Sequence, residues 1–225
     1  MIKAIIFDFD GTILDTETHE LSLIRSIYEE YNEEFTLELW KKTVGANADI
    51  FCPYKHLESI TAKKIDHNYL KQKKQKKLHR IMQQEKPLPG VISYLEEAKR
   101  LNLKIGLASS SEKEWVINHL QRVDLLSYFE CICTSDDVQQ AKPDPSLYLK
   151  AMNLLNVNPE HSLAIEDSPN GTLAAKRAGM WCMTVPNKAT KELEFGKLDI
   201  NLASLQDLKL IEVLEYVQRN QMVLL

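Results

Sequence analysis

Two carboxylates spaced two residues apart, Asp8 and Asp10, follow a short apolar run near the start of the chain. The run covers residues 4–7 and has no polar face, which predicts a strand buried on both sides, as in a parallel sheet. Because side chains alternate along extended backbone, both carboxylates should emerge on the same side, a few ångströms apart. Two such charges repel unless a cation lies between them or one is protonated, and both arrangements serve catalysis.

A purely structural role also fits this pair, because Asp10-Gly11 is a common turn and an Asp after a strand often caps the next helix. Further polar residues favour a site, since they too follow apolar runs. They are Ser109, Ser110 and Ser111, then Lys142, then Glu166 and Asp167. Open α/β sheets have their ligand crevice at the carboxyl ends of the strands, so these side chains should converge.

The converging residue types predict a site for a divalent cation and a phosphoryl group. Carboxylate oxygens suit Mg²⁺, which prefers oxygen ligands and retains waters. Ser109 and Lys142 suit a dianionic phosphoryl group beside that metal. Each element keeps a structural alternative: the serines as a helix N-cap, the lysine as a solvated side chain, Asp167 as a favourable charge near a helix start.

The elements that must position these residues alternate between strand and helix. Apolar runs predict strands at 104–108, 131–134, 163–165 and 182–185, with a weaker one at 200–202, and helical patterns cover 91–101, 112–123, 145–155 and 172–178. This alternation predicts an α/β fold with a doubly wound, Rossmann-like parallel sheet and right-handed crossovers.

Residues 16–85 interrupt that rhythm and contain helical patterns at 20–31, 36–44 and 66–84 without a convincing buried strand. We therefore predict an α-helical cap domain over 16–85, inserted into an α/β core domain formed by 1–15 and 86–225. No internal repeat is apparent.

Composition narrows the class of protein. The chain has 225 residues, 44% hydrophobic content and a net charge of -4, and a nucleic-acid-binding domain would be basic. No apolar run reaches the ~20 residues that span a bilayer, and the first strand begins too early for a signal peptide. The four cysteines form no Cys-x-x-Cys pair and the six histidines no His-x-x-x-His pair, so we expect reduced thiols, no zinc site and a cytoplasmic location. A monomer is the default expectation.

In their order along the chain, these motifs make the sequence resemble the haloacid dehalogenase-like hydrolases. Within that family it is similar to the β-phosphoglucomutase-like and sugar-phosphatase branch, which has a helical cap after the first motif. The matching stretches are Asp8-Phe9-Asp10-Gly11-Thr12, Leu107-Ala108-Ser109-Ser110-Ser111, Lys142-Pro143 and Glu166-Asp167-Ser168-Pro169-Asn170-Gly171, and the resemblance runs from Ile2 to about Val185.

The resemblance implies a role for each matching residue. Asp8 would be the nucleophile that becomes an aspartyl phosphate, and Asp10 the general acid and base. Ser109, Ser110 and Lys142 would bind the phosphoryl oxygens. Asp8, Asp167 and the backbone carbonyl of Asp10 would bind Mg²⁺, with Glu166 helping through water. The predicted function is a Mg²⁺-dependent phosphatase for small phosphorylated metabolites, sugar phosphates foremost.

A phosphomutase of the β-phosphoglucomutase type is the alternative, and it needs a cation for the substrate's second phosphate. Its pattern has a lysine where this chain has Glu112, and an arginine after a cap glycine where this chain reads Gly45-Ala46-Asn47-Ala48. Lys113 could compensate, so the mutase is disfavoured. A phospho-relay receiver domain is about half this length and lacks a helical cap, and a dehalogenase has no use for Asp10 as a proton donor.

Residues of the predicted cap allow weaker hypotheses. Glu17 and His19 could touch substrate hydroxyls, or simply form a solvated first turn. The lysine-rich stretch over 71–80 is either a solvated face or a surface that steers anions. We interpret Trp40 and Trp115 as packing residues.

Overall fold

A six-stranded parallel sheet forms the centre of the protein, seen in a computed structural model that describes residues 1–44, 51–196 and 198–223. The strands are β1 (Ala4–Phe7), β2 (Lys104–Ala108), β3 (Cys131–Cys133), β4 (Ser162–Glu166), β5 (Trp181–Thr184) and β6 (Ile200–Asn201), in the order β3-β2-β1-β4-β5-β6. Phe7 is level with Leu107 and Ile165, so β1, β2 and β4 end side by side. The predicted α/β fold class is confirmed.

Helices cover both faces of the sheet, which explains why β1 has no polar face. Ile5 and Phe7 pack into one apolar cluster, and Ala4 and Ile6 into another on the opposite face. The first cluster includes residues of α5 (Val91–Arg100), α6 (Lys113–Arg122) and α9 (Leu210–Val223), and the second those of α7 (Ser146–Leu155) and α8 (Pro169–Arg177). Helix α9 was not predicted. None of the helices in the described residues is long and apolar enough to cross a bilayer.

Between β1 and α5, the described residues form four helices: α1 (Thr16–Glu29), α2 (Leu37–Lys41), α3 (Pro53–Thr61) and α4 (His67–Met82). We call them the helical insertion. Three begin at an N-cap, because the side chains of Asp15, Thr36 and Asp66 each accept a backbone N–H three residues on. Helix α3 was not predicted. The insertion has its own apolar cluster, which also includes Ala189 and Leu193. The predicted domain boundaries at 16 and 85 stay a prediction.

The lysine-rich face lies on α4, whose buried residues are Leu70, Leu78 and Met82. Lys73 and Lys74 reach across to α1 and to the residue that follows it: Lys74 pairs with Glu20 at 2.7 Å, and Lys73 with Glu30 at 2.6 Å. The other basic residues of this face, Lys71, Lys76, Lys77 and Arg80, are exposed. Part of this face therefore joins α4 to α1, and part is solvated.

Candidate active site

Lys142 links two carboxylates at the carboxyl ends of β1 and β4. Its ammonium Nζ donates to Asp8 Oδ1 at 2.5 Å and to Glu166 Oε1 at 2.7 Å. All three side chains are at least nine-tenths buried. Burial alone would lower the pKa of Lys142, but the carboxylates of Asp8 and Glu166 outweigh it and raise that pKa. The lysine therefore stays charged although it is buried.

A third buried carboxylate, Asp167, completes a cluster that could hold a metal ion. One oxygen each of Asp8, Glu166 and Asp167 lie within 4.8 Å of one another. Burial, opposed by Lys142, raises the pKa of Asp8 to about 7, and burial together with Asp8 raises the pKa of Asp167 well above its usual range. One lysine cannot balance three buried carboxylates, and a divalent cation with oxygen ligands would. The donor set fits Mg²⁺.

The start of α8 is built around the Glu166 carboxylate. Ser168 is the N-cap, and its Oγ accepts the N–H of Gly171 at 3.1 Å. Gly171 is needed there because a Cβ at this position would overlap both oxygens of Glu166. Tyr148, on α7, donates its hydroxyl to Glu166 Oε1 at 2.5 Å. The carboxylate is thus fixed on all sides.

Asp167 is oriented from the loops after β1 and β5. Asn187 Nδ2 donates to Asp167 Oδ2 at 2.7 Å and to the carbonyl of Gly11 at 3.2 Å. Gly11 has a φ of +82°, and a Cβ there would overlap the Asp167 carboxylate. The Asp-Gly pair is therefore both a turn and a close approach to the carboxylate cluster.

Asp10 accepts three hydrogen bonds, from two serines that follow β2 and from a tryptophan on α6. Ser111 Oγ donates to its Oδ2 at 2.6 Å and Ser109 Oγ at 3.3 Å, while Trp115 Nε1 donates to its Oδ1 at 3.0 Å. Burial raises the pKa of Asp10, and the bonds from Ser111 and Trp115 work against that rise. Because burial prevails, a proton on this carboxyl is held at higher pH than usual, as a general acid requires.

Asp8 and Asp10 face one cavity of about 580 Å³, enclosed by the insertion and the strand ends. Its carboxylates are Asp8, Asp10, Glu17, Glu20, Glu112, Glu114 and Asp167. Lys142 is the only lysine or arginine among the described residues that line it. Burial, with Asp167 close by, raises the pKa of Glu17 well above its usual range. The cavity therefore offers many acceptors and one fixed cation.

The structure brings most of the predicted site residues together. Ser110 lines the cavity, and its buried Oγ has no partner among the described residues, whereas Ser109 lies behind it and is fully buried. Glu17 lines the cavity as predicted. His19 does not, because its Nε2 lies 2.8 Å from Glu85 Oε2. The predicted lack of a cap arginine concerns 45–48, outside the described residues.

Sequence reasoning missed four contributors. Asn187 follows β5, so the rule that selected residues at strand ends could have found it. Ser111 was quoted in a motif without a role, and nothing marked Tyr148. Trp115 does pack, because its ring centroid lies 4.2 Å from that of His119. Its indole N–H also donates a hydrogen bond to Asp10, and the interpretation as a packing residue did not include that bond.

Comparison with known proteins gives consistent results. A family model described as haloacid dehalogenase-like hydrolase matches residues 5–185. The Bacillus subtilis protein "Putative phosphatase YhcW" is 48% identical, over 96% of this chain and 98% of its own. The "Phosphorylated carbohydrates phosphatase" of Thermotoga maritima is 34% identical, over 80% of this chain and 82% of its own.

Two further similarities bear on the mutase alternative and on the fold. The "Beta-phosphoglucomutase" of Bacillus subtilis is 32% identical, over 82% of this chain and 83% of its own. The crystal structure of CbbY from Rhodobacter sphaeroides in complex with phosphate is 26% identical, with a TM-score of 0.69 over 91% of this chain and 95% of that one. Similarity thus extends over nearly the whole length of the chain.

Proposed function

The chain belongs to the haloacid dehalogenase-like hydrolase family, and we propose that it is a Mg²⁺-dependent phosphatase that hydrolyses small phosphorylated metabolites through phosphorylated Asp8. Sugar phosphates are the favoured substrate class, in line with the 34% identical carbohydrate phosphatase. One observation carries the proposal: buried Asp8 is paired with Lys142 in the same cavity as the hydrogen-bonded Asp10.

The first step is displacement at phosphorus. An oxygen of Asp8 attacks, a bond forms between that oxygen and phosphorus, and the bond from phosphorus to the ester oxygen breaks. Asp10 transfers its proton to the departing alkoxide, which leaves as a neutral alcohol. Asp10, now ionised, then takes a proton from water as that water attacks phosphorus and releases Asp8 and inorganic phosphate.

The main barrier is the repulsion between anionic Asp8 and an anionic ester. Lys142 places a fixed positive charge beside the Asp8 carboxylate, and that charge would offset the repulsion of an anionic ester. Mg²⁺ held by Asp8, Asp167 and the backbone carbonyl of Asp10, with Glu166 helping through water, would supply further positive charge against the phosphoryl oxygens. Ser110 Oγ at the cavity wall has no hydrogen-bond partner in the described part of the chain, and we assign it with Ser109 to the phosphoryl site.

The helical insertion would act as the cap over this site. It contributes Glu17 and Glu20 to the cavity, and these carboxylates suit the hydroxyl groups of a sugar. Closure would exclude water until Asp10 is placed beside the leaving group. Residues 16–85 are proposed as the mobile unit.

A phosphomutase remains the second candidate because of the 32% identical mutase. A bisphosphate substrate needs a second cation, and Lys142 is the single lysine or arginine among the described lining residues. Residues 45–50 contain neither by sequence. Glu112 lines the cavity where the mutase pattern has lysine, and Lys113 is exposed and does not line it. These features favour the phosphatase.

Phosphate release from 4-nitrophenyl phosphate, with and without Mg²⁺, tests the proposal. Wild-type turnover should vanish in Asp8→Asn and in chelator. The matched control is Asp124→Asn, an exposed residue with a φ of 59° that asparagine adopts readily, and it should keep wild-type activity. Turnover that survives Asp8→Asn would refute the mechanism. Absent turnover, with conversion of a β-hexose 1-phosphate in the presence of its bisphosphate, would establish the mutase instead.

A further inference from the structure

The two oxygens of Asp10 have partners of different chemical kinds. Oδ2 receives the hydroxyls of Ser111 and Ser109, at 2.6 and 3.3 Å, and Oδ1 receives the indole N–H of Trp115 at 3.0 Å. A hydroxyl can turn and accept a proton as readily as it donates one. An indole N–H only donates. The bond from the indole therefore has one fixed direction, and the ring that donates it sets where Oδ1 can lie.

Trp115 is held in this orientation from behind. Its ring meets the ring of His119, one helical turn further along α6, edge-on with centroids 4.2 Å apart. His119 is buried and stacks on Phe9, with centroids 6.5 Å apart, and Phe9 is the residue directly before Asp10. The indole is thus held by the His119 ring on one side and by the Asp10 carboxyl at its N–H, so it has little freedom to swing away.

The serines and the indole together engage both oxygens of the carboxyl, so its orientation is set from two sides. We propose that Trp115 is a positioning residue whose N–H holds the Asp10 carboxyl in the orientation from which it meets the leaving-group oxygen. The inference rests on the proposed function and adds a residue to it.

Esters with different leaving groups measure this role directly. Phenyl phosphate needs a proton donor for its poor leaving group, whereas 2,4-dinitrophenyl phosphate releases a stable anion and does not. Trp115→Phe should lower kcat/KM for phenyl phosphate by about 10- to 100-fold and for the dinitro ester by less than about 3-fold, a modest share of the 10²–10⁴-fold that general acid catalysis supplies. A merely structural role would lower both values together.

Trp40 offers a matched control because it lines the same cavity and also uses its indole N–H. That N–H donates to the backbone carbonyl of Ala189 at 2.9 Å, and not to a carboxylate of the cavity. Trp40→Phe should leave the ratio of the two kcat/KM values at its wild-type level, whatever it does to stability. If Trp115→Phe fails to fold, Trp115→Leu is measured in the same way, with thermal unfolding of each variant as the check.

The outcomes separate the inference from the proposed function. A wild-type ratio in Trp115→Phe, or an equal change of the ratio in Trp40→Phe, overturns the role of Trp115 and leaves the phosphatase intact. Absence of Asp8-dependent turnover of both esters by the wild-type protein overturns the phosphatase and the inference with it. A selective loss on phenyl phosphate in Trp115→Phe alone supports both.

Discussion

Replacement of Gly171 by alanine sets two physical effects against each other. Gly171 lies in the first turn of α8, and alanine is a better helix former by about 1 kcal/mol. On that ground alone, Gly171→Ala should stabilise the protein. The new Cβ would, however, overlap both oxygens of the Glu166 carboxylate. The sign of the change depends on whether that carboxylate can move.

The structure argues that it cannot move cheaply. Glu166 is fully buried, its Oε1 accepts from Lys142 at 2.7 Å and from Tyr148 at 2.5 Å, and its Oε2 accepts the N–H of Asp167 at 3.2 Å. A displaced Glu166 carboxylate would lose its buried ion pair with Lys142, which costs about 3–5 kcal/mol. Against a gain of about 1 kcal/mol, we expect a net loss of roughly 2–4 kcal/mol, which lowers Tm by roughly 4–16 °C at this chain length.

Urea and thermal unfolding of a double-mutant cycle test this expectation. In a Glu166→Ala background the overlap is gone, so adding Gly171→Ala should be neutral or stabilise by about 1 kcal/mol. The coupling between the two positions should therefore be about 3 kcal/mol. A single Gly171→Ala variant as stable as the wild type, or a coupling energy near zero, would refute the reasoning.

Three other perturbations have defined outcomes. Burial lowers the pKa of His119 to about 4, so the imidazole takes up a proton in the unfolded chain first as pH falls. The free energy of unfolding should therefore drop by up to about 3 kcal/mol between about pH 6.5 and 4, and urea unfolding of His119→Leu should lack that drop. Asn187→Ala removes the bond to Asp167 and should raise the Mg²⁺ concentration for half-maximal activity about 10- to 100-fold; an unchanged value would contradict a supporting role. Lys142→Met leaves buried carboxylates without their cation and should cost about 3–5 kcal/mol in chelator, a loss that added Mg²⁺ partly restores in urea unfolding.

The residues that the sequence analysis placed at strand ends were predictable for a simple geometric reason. Asp8 and Glu166 each end a buried strand, and parallel strands bring their carboxyl ends to one edge of the sheet. The apolar run before Asp8 has to be buried on both faces. The apolar cluster that contains Ile5 covers one face, and the cluster that contains Ile6 covers the other. Local pattern and global fold agree here.

What lies on helices was harder to predict, because it depends on how each helix is rotated and tilted. Trp115 has the apolar character of a packing residue, and only the rotation of α6 turns its N–H towards Asp10. Tyr148 reaches Glu166 for the same reason, through the orientation of α7. His19 has the right type and position in the sequence, but Glu85 competes for its imidazole. Contacts of this kind are set by tertiary packing, which the spacing of residues in the sequence does not predict.

The segment after β5 has a consequence for how such enzymes could change their substrates. Ala189 and Leu193 share an apolar cluster with the helical insertion, Ala189 accepts the indole N–H of Trp40, and Asn187 holds Asp167. If the helical insertion were replaced by that of a relative, the new helices would therefore pack poorly against residues 187–193 unless that stretch were exchanged as well. The helical insertion and the carboxylate cluster are thus coupled in this chain, because one short loop contacts both.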